Sequence, residues 1–125
     1  MRTTVLVVDD SLMMRKLVAR TLDAAGFDVC EAEDGVAALS QLVERPSIAL
    51  VICDVNMPNM NGIEFLQALH AEPHTSKVPV LILTTRGQLD LVSQARTLGA
   101  KFWLLKPFVP EQLIEVAKQL APREA

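Results

Sequence analysis

The sequence lacks any long apolar run: none of its hydrophobic stretches approaches the roughly 18 residues typical of a membrane-spanning helix. The amino-terminal segment does not have the form of a signal peptide, because its short apolar run leads directly into Asp9 and Asp10. Cysteine is scarce as well, and the two that occur, Cys30 and Cys53, have neither metal-ligand spacing nor a disulfide framework. We therefore expect a cytoplasmic protein without a membrane partner.

An excess of basic residues is also missing. The 12 Lys and Arg residues are outnumbered by 15 Asp and Glu residues, which gives a formal net charge of −3. Non-specific nucleic-acid binding depends on a positive field, so this balance argues against a nucleic acid as partner. No linker or low-complexity segment interrupts the 125 residues, of which 50% are hydrophobic and 22% are charged. We expect residues 1–125 to form a single domain.

Short apolar runs alternate along the chain with stretches of helical spacing. Strands are predicted at residues 5–8, 27–32, 48–53, 78–83 and 102–105, of which the second is the more polar and suits a more exposed strand. The first predicted helix has an apolar stripe of Met14, Leu17, Val18, Thr21, Leu22 and Ala25, ended by Gly26. Further helices are predicted at 35–44, 62–71, 89–98 and 113–120. This order predicts the α/β class: a (βα)5 doubly wound, parallel five-stranded sheet of the flavodoxin type.

Polar side chains follow four of the five predicted strands. In such a sheet the functional crevice lies beyond the carboxyl ends of the strands. Asp9 and Asp10 follow the first strand, Asp54 the third, Thr84 the fourth and Lys106 the fifth. Taken singly, most of them also fit structural roles, such as a helix N-cap for residues 9–11, a turn for 84–85 and a solvated loop lysine. Asp54 fits such a role least, since a carboxylate directly after six apolar residues needs a partner.

The charges of this group indicate what chemistry it could support. Three clustered carboxylates repel one another, and a divalent cation together with Lys106 would neutralise them. Ligands that are all oxygens suit Mg²⁺ better than zinc. A metal ion and a lysine form an electrostatic clamp for a transferring phosphoryl group. Asp54 is then the candidate nucleophile that forms an acyl phosphate, and Thr84 could donate a hydrogen bond to a phosphoryl oxygen.

Four motifs at these strand ends resemble the receiver domain of two-component response regulators, over essentially the whole chain. They are V-L-V-V-D-D-S at residues 5–11, D-V-N-M-P-N-M-N-G at 54–62, L-T-T at 83–85 and G-A-K-F-W-L-L-K-P-F at 99–108. Because the sequence stops after the fifth predicted helix, it looks similar to the stand-alone chemotaxis receivers of the CheY type.

The resemblance implies a role for each matching residue. Asp54 becomes the phosphorylation site. The implied Mg²⁺ ligands are Asp9, Asp10, Asp54 and the backbone carbonyl of Asn56. Thr84 becomes the switch hydroxyl, Lys106 the phosphoryl-binding cation, and the Lys106–Pro107 peptide bond is expected to be cis. Pro58 and Gly62 are expected to shape the loop after Asp54, with Gly62 adopting a turn conformation that other residues resist.

Some positions depart from the family's commonest pattern or vary within it. Trp103 stands at the aromatic switch position, where Tyr or Phe is more usual, and Thr85 stands where a small residue is frequent. Asn56 and Arg86 occupy the positions that tune the lifetime of the phosphorylated state by gating water and phosphatase access. We expect Arg86 to shield the phosphoryl group and slow its loss.

The resemblance implies a signalling switch that catalyses only its own phosphotransfer and dephosphorylation. A sensor histidine kinase, or a small acyl phosphate, would donate to Asp54, after which Thr84 moves and Trp103 turns inward. The face of the fourth helix, fifth strand and fifth helix, with Lys101 and Phe102 as candidate residues, would then meet a partner. We expect a monomer in chemotaxis whose output partner is a flagellar motor switch or an adaptor protein, with a phosphatase as a further candidate partner.

Other interpretations remain open on sequence alone. A phosphorelay or cell-cycle adaptor, or a receiver cut from a longer regulator, would carry the same residues. A haloacid-dehalogenase-type phosphatase also uses a strand-end Asp with Mg²⁺, but residues 54–56 lack its second acid and 125 residues leave no room for a cap domain. Outside the motifs, His70 and His74 are expected to be solvated loop side chains. The methionines Met13, Met14, Met57 and Met60 are expected to pack in the core or in loops.

Overall fold

Five β-strands and five α-helices alternate along the chain. In a computed structural model, the described residues are 2–55, 57, 60–85, 87, 89–100 and 102–121. The strands are β1 Thr4–Val8, β2 Asp28–Ala32, β3 Ile48–Asp54, β4 Val80–Thr84 and β5 Phe102–Leu105. The helices are α1 Leu12–Ala24, α2 Gly35–Glu44, α3 Gly62–Ala71, α4 Leu89–Thr97 and α5 Pro110–Leu120. Among the described residues, no helix combines the length and the apolar character that crossing a bilayer requires.

All the strands pair in parallel, in the order β2-β1-β3-β4-β5. One face of the sheet packs on α1 and α5, where Val18, Leu22 and Leu113 are buried. The other face packs on the helices between them in sequence, with Phe65 of α3 and Ala95 of α4 among its buried residues. The predicted doubly wound α/β class is therefore confirmed, and β2 and β5 lie at the edges of the sheet.

β5 has the predicted boundaries, and each of the other four strands differs from its prediction by at most two residues at an end. β4 begins at Val80 rather than at residue 78, because Pro79 has no N–H to donate to the sheet, although its carbonyl accepts from Val51. β2 begins one residue later than predicted, after the buried Phe27. β3 and β4 each extend one residue further and include Asp54 and Thr84. The two predicted functional side chains therefore belong to the sheet itself.

The helix predictions hold for the positions of the elements and fail for some side chains. α1 and α4 end where Gly26 and Gly99 adopt φ of 100° and 102°, a conformation that favours glycine. Leu17 was predicted to lie on the apolar stripe of α1, but it is 50% exposed, because Val18 and Leu22 form the line that meets the sheet. Met13 was predicted to pack, and it is 84% exposed.

Candidate functional site

The two predicted acidic positions meet at the carboxyl edge of the central strands. Val8 of β1 pairs with Cys53 of β3, so the residues that follow each of them, Asp9 and Asp54, come side by side. Carboxylate oxygens of Asp9, Asp10 and Asp54 all lie within 4.8 Å of one another. Asp9 and Asp54 are buried, whereas Asp10 is exposed. The parallel register thus brings together the three carboxylates that the sequence predicted to converge.

A single ammonium group is shared by the two buried carboxylates. The Lys106 Nζ lies 3.2 Å from Asp9 Oδ2 and 3.3 Å from Asp54 Oδ2. The Lys106 side chain is itself only 15% exposed, so the three charges interact where little water screens them. One positive charge faces three negative ones, and the cluster has a net charge of −2. This imbalance favours the entry of a divalent cation.

The carboxylate of Asp9 is held in place from two sides. Its Oδ1 accepts a hydrogen bond of 2.9 Å from the backbone N–H of Ser11, while its Oδ2 faces Lys106. Ser11 is the N-cap of α1, where its side chain accepts from the N–H of Met14. The capping role that the sequence left open for residues 9–11 therefore belongs to Ser11, and the carboxylates of Asp9 and Asp10 are left to the cluster.

Thr84 lies at the end of β4 and is fully buried. Its hydroxyl donates to the carbonyl of Thr85 at 3.1 Å, and its own carbonyl accepts a 2.7 Å hydrogen bond from the N–H of Lys106. The backbone of Lys106 is thus joined to β4 while its side chain reaches the acids. The Lys106–Pro107 peptide bond is cis.

Gly62 contributes to the site in a different way from the one predicted. It is the first residue of α3 and does not have a positive φ, so the expectation of a special turn conformation is wrong. A Cβ at this position would lie 2.9 Å from the carbonyl oxygen of Asp54 and 2.9 Å from the Cα of Val55. Gly62 also donates a 2.8 Å hydrogen bond to the Val55 carbonyl. The glycine is required because α3 approaches the backbone that carries Asp54.

Directly before Asp54 lies Cys53, whose thiol is fully buried and donates to the Asp54 carbonyl at 3.1 Å. Burial raises the pKa of the Cys53 thiol far above its ordinary value of 9.0, and the negative charges of Asp54 and Asp9 raise it further. Cys53 is therefore a neutral packing residue.

Trp103 lies on β5 at the edge of the sheet, with 37% of its surface exposed. The guanidinium carbon of Arg96, in the last turn of α4, lies 5.2 Å from the centroid of its ring. Phe102 and Leu105 of the same strand are each 38% exposed. β5 therefore presents a row of accessible apolar side chains, among them the Phe102 expected to contact a partner.

Some predicted site residues lie outside the described part of the chain. These are Asn56, Pro58, Arg86 and Lys101. The metal-ligand role of the Asn56 carbonyl, the lifetime-tuning roles of Asn56 and Arg86, and the partner role of Lys101 stay predictions.

Sequence reasoning missed a charged group beside the site. Glu31 of β2 forms ion pairs with Arg15 at 3.1 Å and Lys16 at 2.9 Å. Burial by itself would raise the pKa of the Glu31 carboxyl, but the hydrogen bonds and charges of the two cations outweigh it, and this pKa is lowered. The only signal in the sequence was an acid within a predicted strand, because the contact depends on β1 and β2 being neighbours.

The histidines and the remaining methionines lie outside this cluster. His74 is exposed, as expected, with Glu72 4.0 Å away. His70 is also exposed, but it lies in the last turn of α3 rather than in a loop, because that helix runs to Ala71. Met57 is buried, whereas Met14 and Met60 are partly buried against the core.

Comparison with known proteins agrees with this geometry. Residues 5–118 match the model of the response regulator receiver domain. The chain belongs to the response regulator receiver family. A chemotaxis protein CheY homolog from Campylobacter jejuni is 40% identical over 111 residues, covering 88% of this chain and 85% of the relative. A probable chemotaxis protein CheY from Rhizobium etli is 43% identical over 110 residues, covering 87% and 84%.

Among solved structures, the chemotaxis protein CheY4 of Vibrio cholerae superposes with a TM-score of 0.88 at 37% identity, covering 96% of this chain and 99% of that one. This chain is thus a two-component response regulator receiver of the chemotaxis type. Membership of this family leaves the haloacid-dehalogenase alternative without support.

Proposed function

We propose that this receiver is a phosphorylation-dependent switch whose phosphoacceptor is Asp54. The observation that carries the proposal is the placement of the Asp54 carboxylate, which lies within 4.8 Å of two further acids and 3.3 Å from the Lys106 ammonium. No other group of three or more His, Cys, Asp or Glu side chains that could hold a metal ion occurs in the described residues. Nucleophile, cation and metal-ligating acids therefore coincide at one place.

The donor set supports Mg²⁺ as the cofactor. Its protein ligands would be the carboxylate oxygens of Asp9, Asp10 and Asp54, with the Asn56 carbonyl as a further candidate. Hard oxygen ligands of this kind, one of them exposed, suit an ion that keeps several waters. When bound, the ion would neutralise charge on the transferring phosphoryl group. Receiver domains generally use Mg²⁺ in this way, which supports the assignment.

The transfer itself would be a displacement at phosphorus. A carboxylate oxygen of Asp54 forms a bond to the phosphorus of a phosphohistidine on a sensor kinase. The bond between phosphorus and the imidazole nitrogen breaks, and its electron pair stays with the histidine. The Lys106 ammonium, already 3.3 Å from Asp54, stabilises the added negative charge. The product is an acyl phosphate on Asp54.

The output would arise at the β4–β5 edge of the sheet. Thr84 is buried beside the site, and its carbonyl is hydrogen-bonded to the N–H of Lys106, so a movement at either residue reaches β5. Trp103 on that strand is partly exposed and could turn inward as Thr84 moves. The surface of α4, β5 and α5 would change shape, and phosphorylation would stabilise one of two existing states.

The relatives support chemotaxis as the pathway. A histidine kinase and a downstream effector are the general partners of such a receiver, and we propose a flagellar motor switch or an adaptor protein as the effector. A phosphatase could set the lifetime of the phosphorylated state, together with Arg86 and Asn56. The protein would act as a cytoplasmic monomer and would not turn over a separate substrate.

Intact mass measured after incubation with acetyl phosphate tests the phosphoacceptor. Wild type, Asp54→Asn and Asp34→Ser are compared with and without Mg²⁺. Asp34 is a matched control because it is also a buried aspartate, but it caps α2, a role that serine preserves. We expect one phosphoryl group on wild type and Asp34→Ser in Mg²⁺ only, and none on Asp54→Asn. A phosphoryl group retained by Asp54→Asn would show that the assigned nucleophile is wrong.

A further inference from the structure

Arg15, the fourth residue of α1, reaches back to the loop that carries the acidic pair. Its Nη1 donates a 2.8 Å hydrogen bond to the backbone carbonyl of Asp9, and its Nε donates to Glu31 Oε1 at 3.1 Å. The side chain is largely buried, with 15% exposed. The guanidinium therefore bridges a carboxylate on β2 and a carbonyl at the end of β1.

These contacts fix one peptide group of the site. The Asp9 N–H donates to the Ala32 carbonyl of β2 at 3.1 Å, so the backbone of Asp9 is held at both its N–H and its C=O. The carbonyl that Arg15 binds belongs to the peptide joining Asp9 to Asp10. Its orientation affects where both side chains project, and both contribute to the carboxylate cluster.

Electrostatic attraction alone does not explain why the positively charged side chain of Arg15 lies beside the metal-ligating acids. A guanidinium near three carboxylates weakens their attraction for a metal ion, because like charges repel. Glu31 offsets this effect by pairing with Arg15, and it pairs with Lys16 as well. Arg15 contacts the carbonyl of Asp9 and forms ion pairs only with Glu31 among the described residues. The arrangement suits a geometric role better than an electrostatic one.

We propose that Arg15, held by Glu31, is a positioning residue that orients the Asp9–Asp10 peptide for divalent-cation binding. This role of Arg15 depends on one part of the proposed function, namely that Asp9, Asp10 and Asp54 together hold a cation. It requires arginine rather than lysine, since two separate N–H groups of one planar group serve two acceptors.

The adjacent residue provides a matched control. Lys16 carries the same charge and pairs with the same carboxylate, but it is more exposed, and its hydrogen bond within the described part of the chain goes to Glu31 rather than to Asp9. Replacing either residue by methionine keeps most of the apolar stem and removes one positive charge. Electrostatics by itself predicts tighter cation binding in both variants. Positioning predicts weaker binding in Arg15→Met only, so the two explanations differ in the sign of the effect.

Binding of Mn²⁺, which takes the same oxygen ligands as Mg²⁺, is measured from the electron paramagnetic resonance signal of the free ion. Wild type, Arg15→Met, Arg15→Lys and Lys16→Met are titrated without any phosphoryl donor. Loss of a partner that orients metal ligands typically weakens affinity by 10–100-fold, and we expect about tenfold for Arg15→Met. Arg15→Lys should also bind more weakly than wild type, although its charge is unchanged. Lys16→Met should bind as tightly as wild type or more tightly.

Circular dichroism and urea unfolding in EDTA establish which variants are folded. If Arg15→Met does not fold, the comparison of Arg15→Lys with wild type decides, because their charges are equal. Affinity in a folded Arg15 variant equal to or above that of wild type would overturn the positioning role while leaving the metal site intact. Absence of Mn²⁺ binding by wild type would overturn both the metal site and the role of Arg15.

Discussion

The Arg96 guanidinium lies over the indole ring of Trp103, 5.2 Å from the ring centroid, and thereby joins the last turn of α4 to β5. A cation over the face of Trp is attracted by the negative charge of its π system. Trp103 is 37% exposed in this arrangement. The contact therefore stabilises the outward orientation of the side chain that the proposed switch would turn inward.

Removal of the Arg96 guanidinium should favour the state in which Trp103 is turned inward. A cation–π contact at an exposed site contributes about 0.5–1 kcal/mol, which corresponds to a roughly two- to fivefold change in the ratio of the two states. We expect Arg96→Ala to react with acetyl phosphate two to five times faster than wild type. The rate is measured from the fluorescence of Trp103, the only tryptophan in the chain.

Two variants serve as controls for this effect. Arg96→Lys keeps the charge and should lie between wild type and Arg96→Ala. Arg20→Ala removes an exposed arginine from α1, distant in sequence from β5, and should leave the rate unchanged. An unchanged or slower reaction of Arg96→Ala would show that the contact does not hold the switch.

Lys106 should stabilise the fold in the absence of metal. Its ammonium compensates the buried carboxylates of Asp9 and Asp54, and removal of one partner of a buried ion pair typically costs about 3–5 kcal/mol. We expect Lys106→Met to lose stability of this order in urea unfolding with EDTA. In this variant Mg²⁺ would no longer compete with the Lys106 ammonium for the carboxylates of Asp9 and Asp54. Added Mg²⁺ should therefore stabilise Lys106→Met more than wild type.

The exposed Lys118→Met variant on α5 gives the baseline for loss of a lysine. Equal stability of Lys106→Met and wild type in EDTA would mean that the two carboxylates are compensated in another way.

Gly62→Ala should destabilise the backbone at the end of β3, where Asp54 lies. Its Cβ would lie 2.9 Å from two backbone atoms of residues 54 and 55, and overpacking of this kind costs about 1–3 kcal/mol. Gly87→Ala is the matched control, because among the described residues a Cβ there would meet only the Thr85 hydroxyl, at 4.0 Å. Urea unfolding should show a loss in the first variant and little change in the second. Equal effects of the two substitutions would contradict the steric role of Gly62.

The sequence predicts the sheet and the converging acids well because both depend on local patterns. Unalternating apolar runs mark buried strands, and parallel strands place their carboxyl ends together, so Asp9, Asp54 and Lys106 could be grouped without a structure. The strand order could not be predicted in this way, since it depends on which strands pair across the whole chain.

The contacts that support the site were not predictable for the same reason. Arg15 meets Glu31 only because β2 lies next to β1, and Gly62 is needed only because α3 approaches Asp54 closely. The prediction for Leu17 of α1 is also wrong. Helical spacing gives the direction of an apolar stripe but not its width, and Leu17 lies outside the strip of α1 that is buried against the sheet.

Cys53 should be inert in the native protein although it adjoins Asp54. Its thiol is fully buried with a raised pKa, so it does not form the thiolate that reacts with Ellman's reagent at pH 8. Cys30 is partly exposed. We expect one reactive thiol in native wild type, none in native Cys30→Ser, and two in wild type unfolded by urea. A rapidly reacting thiol in native Cys30→Ser would contradict the buried, neutral state of Cys53.

Because the pKa of the Cys53 thiol is raised, the free energy of unfolding should vary with pH in the alkaline range. The contribution of the Cys53 thiol to stability is fully present at pH values below 9.0, the pKa of this thiol in the unfolded chain. Above it, the unfolded chain releases the thiol proton and the native chain keeps it, so the free energy of unfolding falls by up to about 1.4 kcal/mol per pH unit. Cys53→Ala lacks this contribution and should lose less stability than wild type between pH 9 and 10, measured by urea unfolding under reducing conditions. Parallel curves for the two proteins would show that the Cys53 thiol ionises equally in both states.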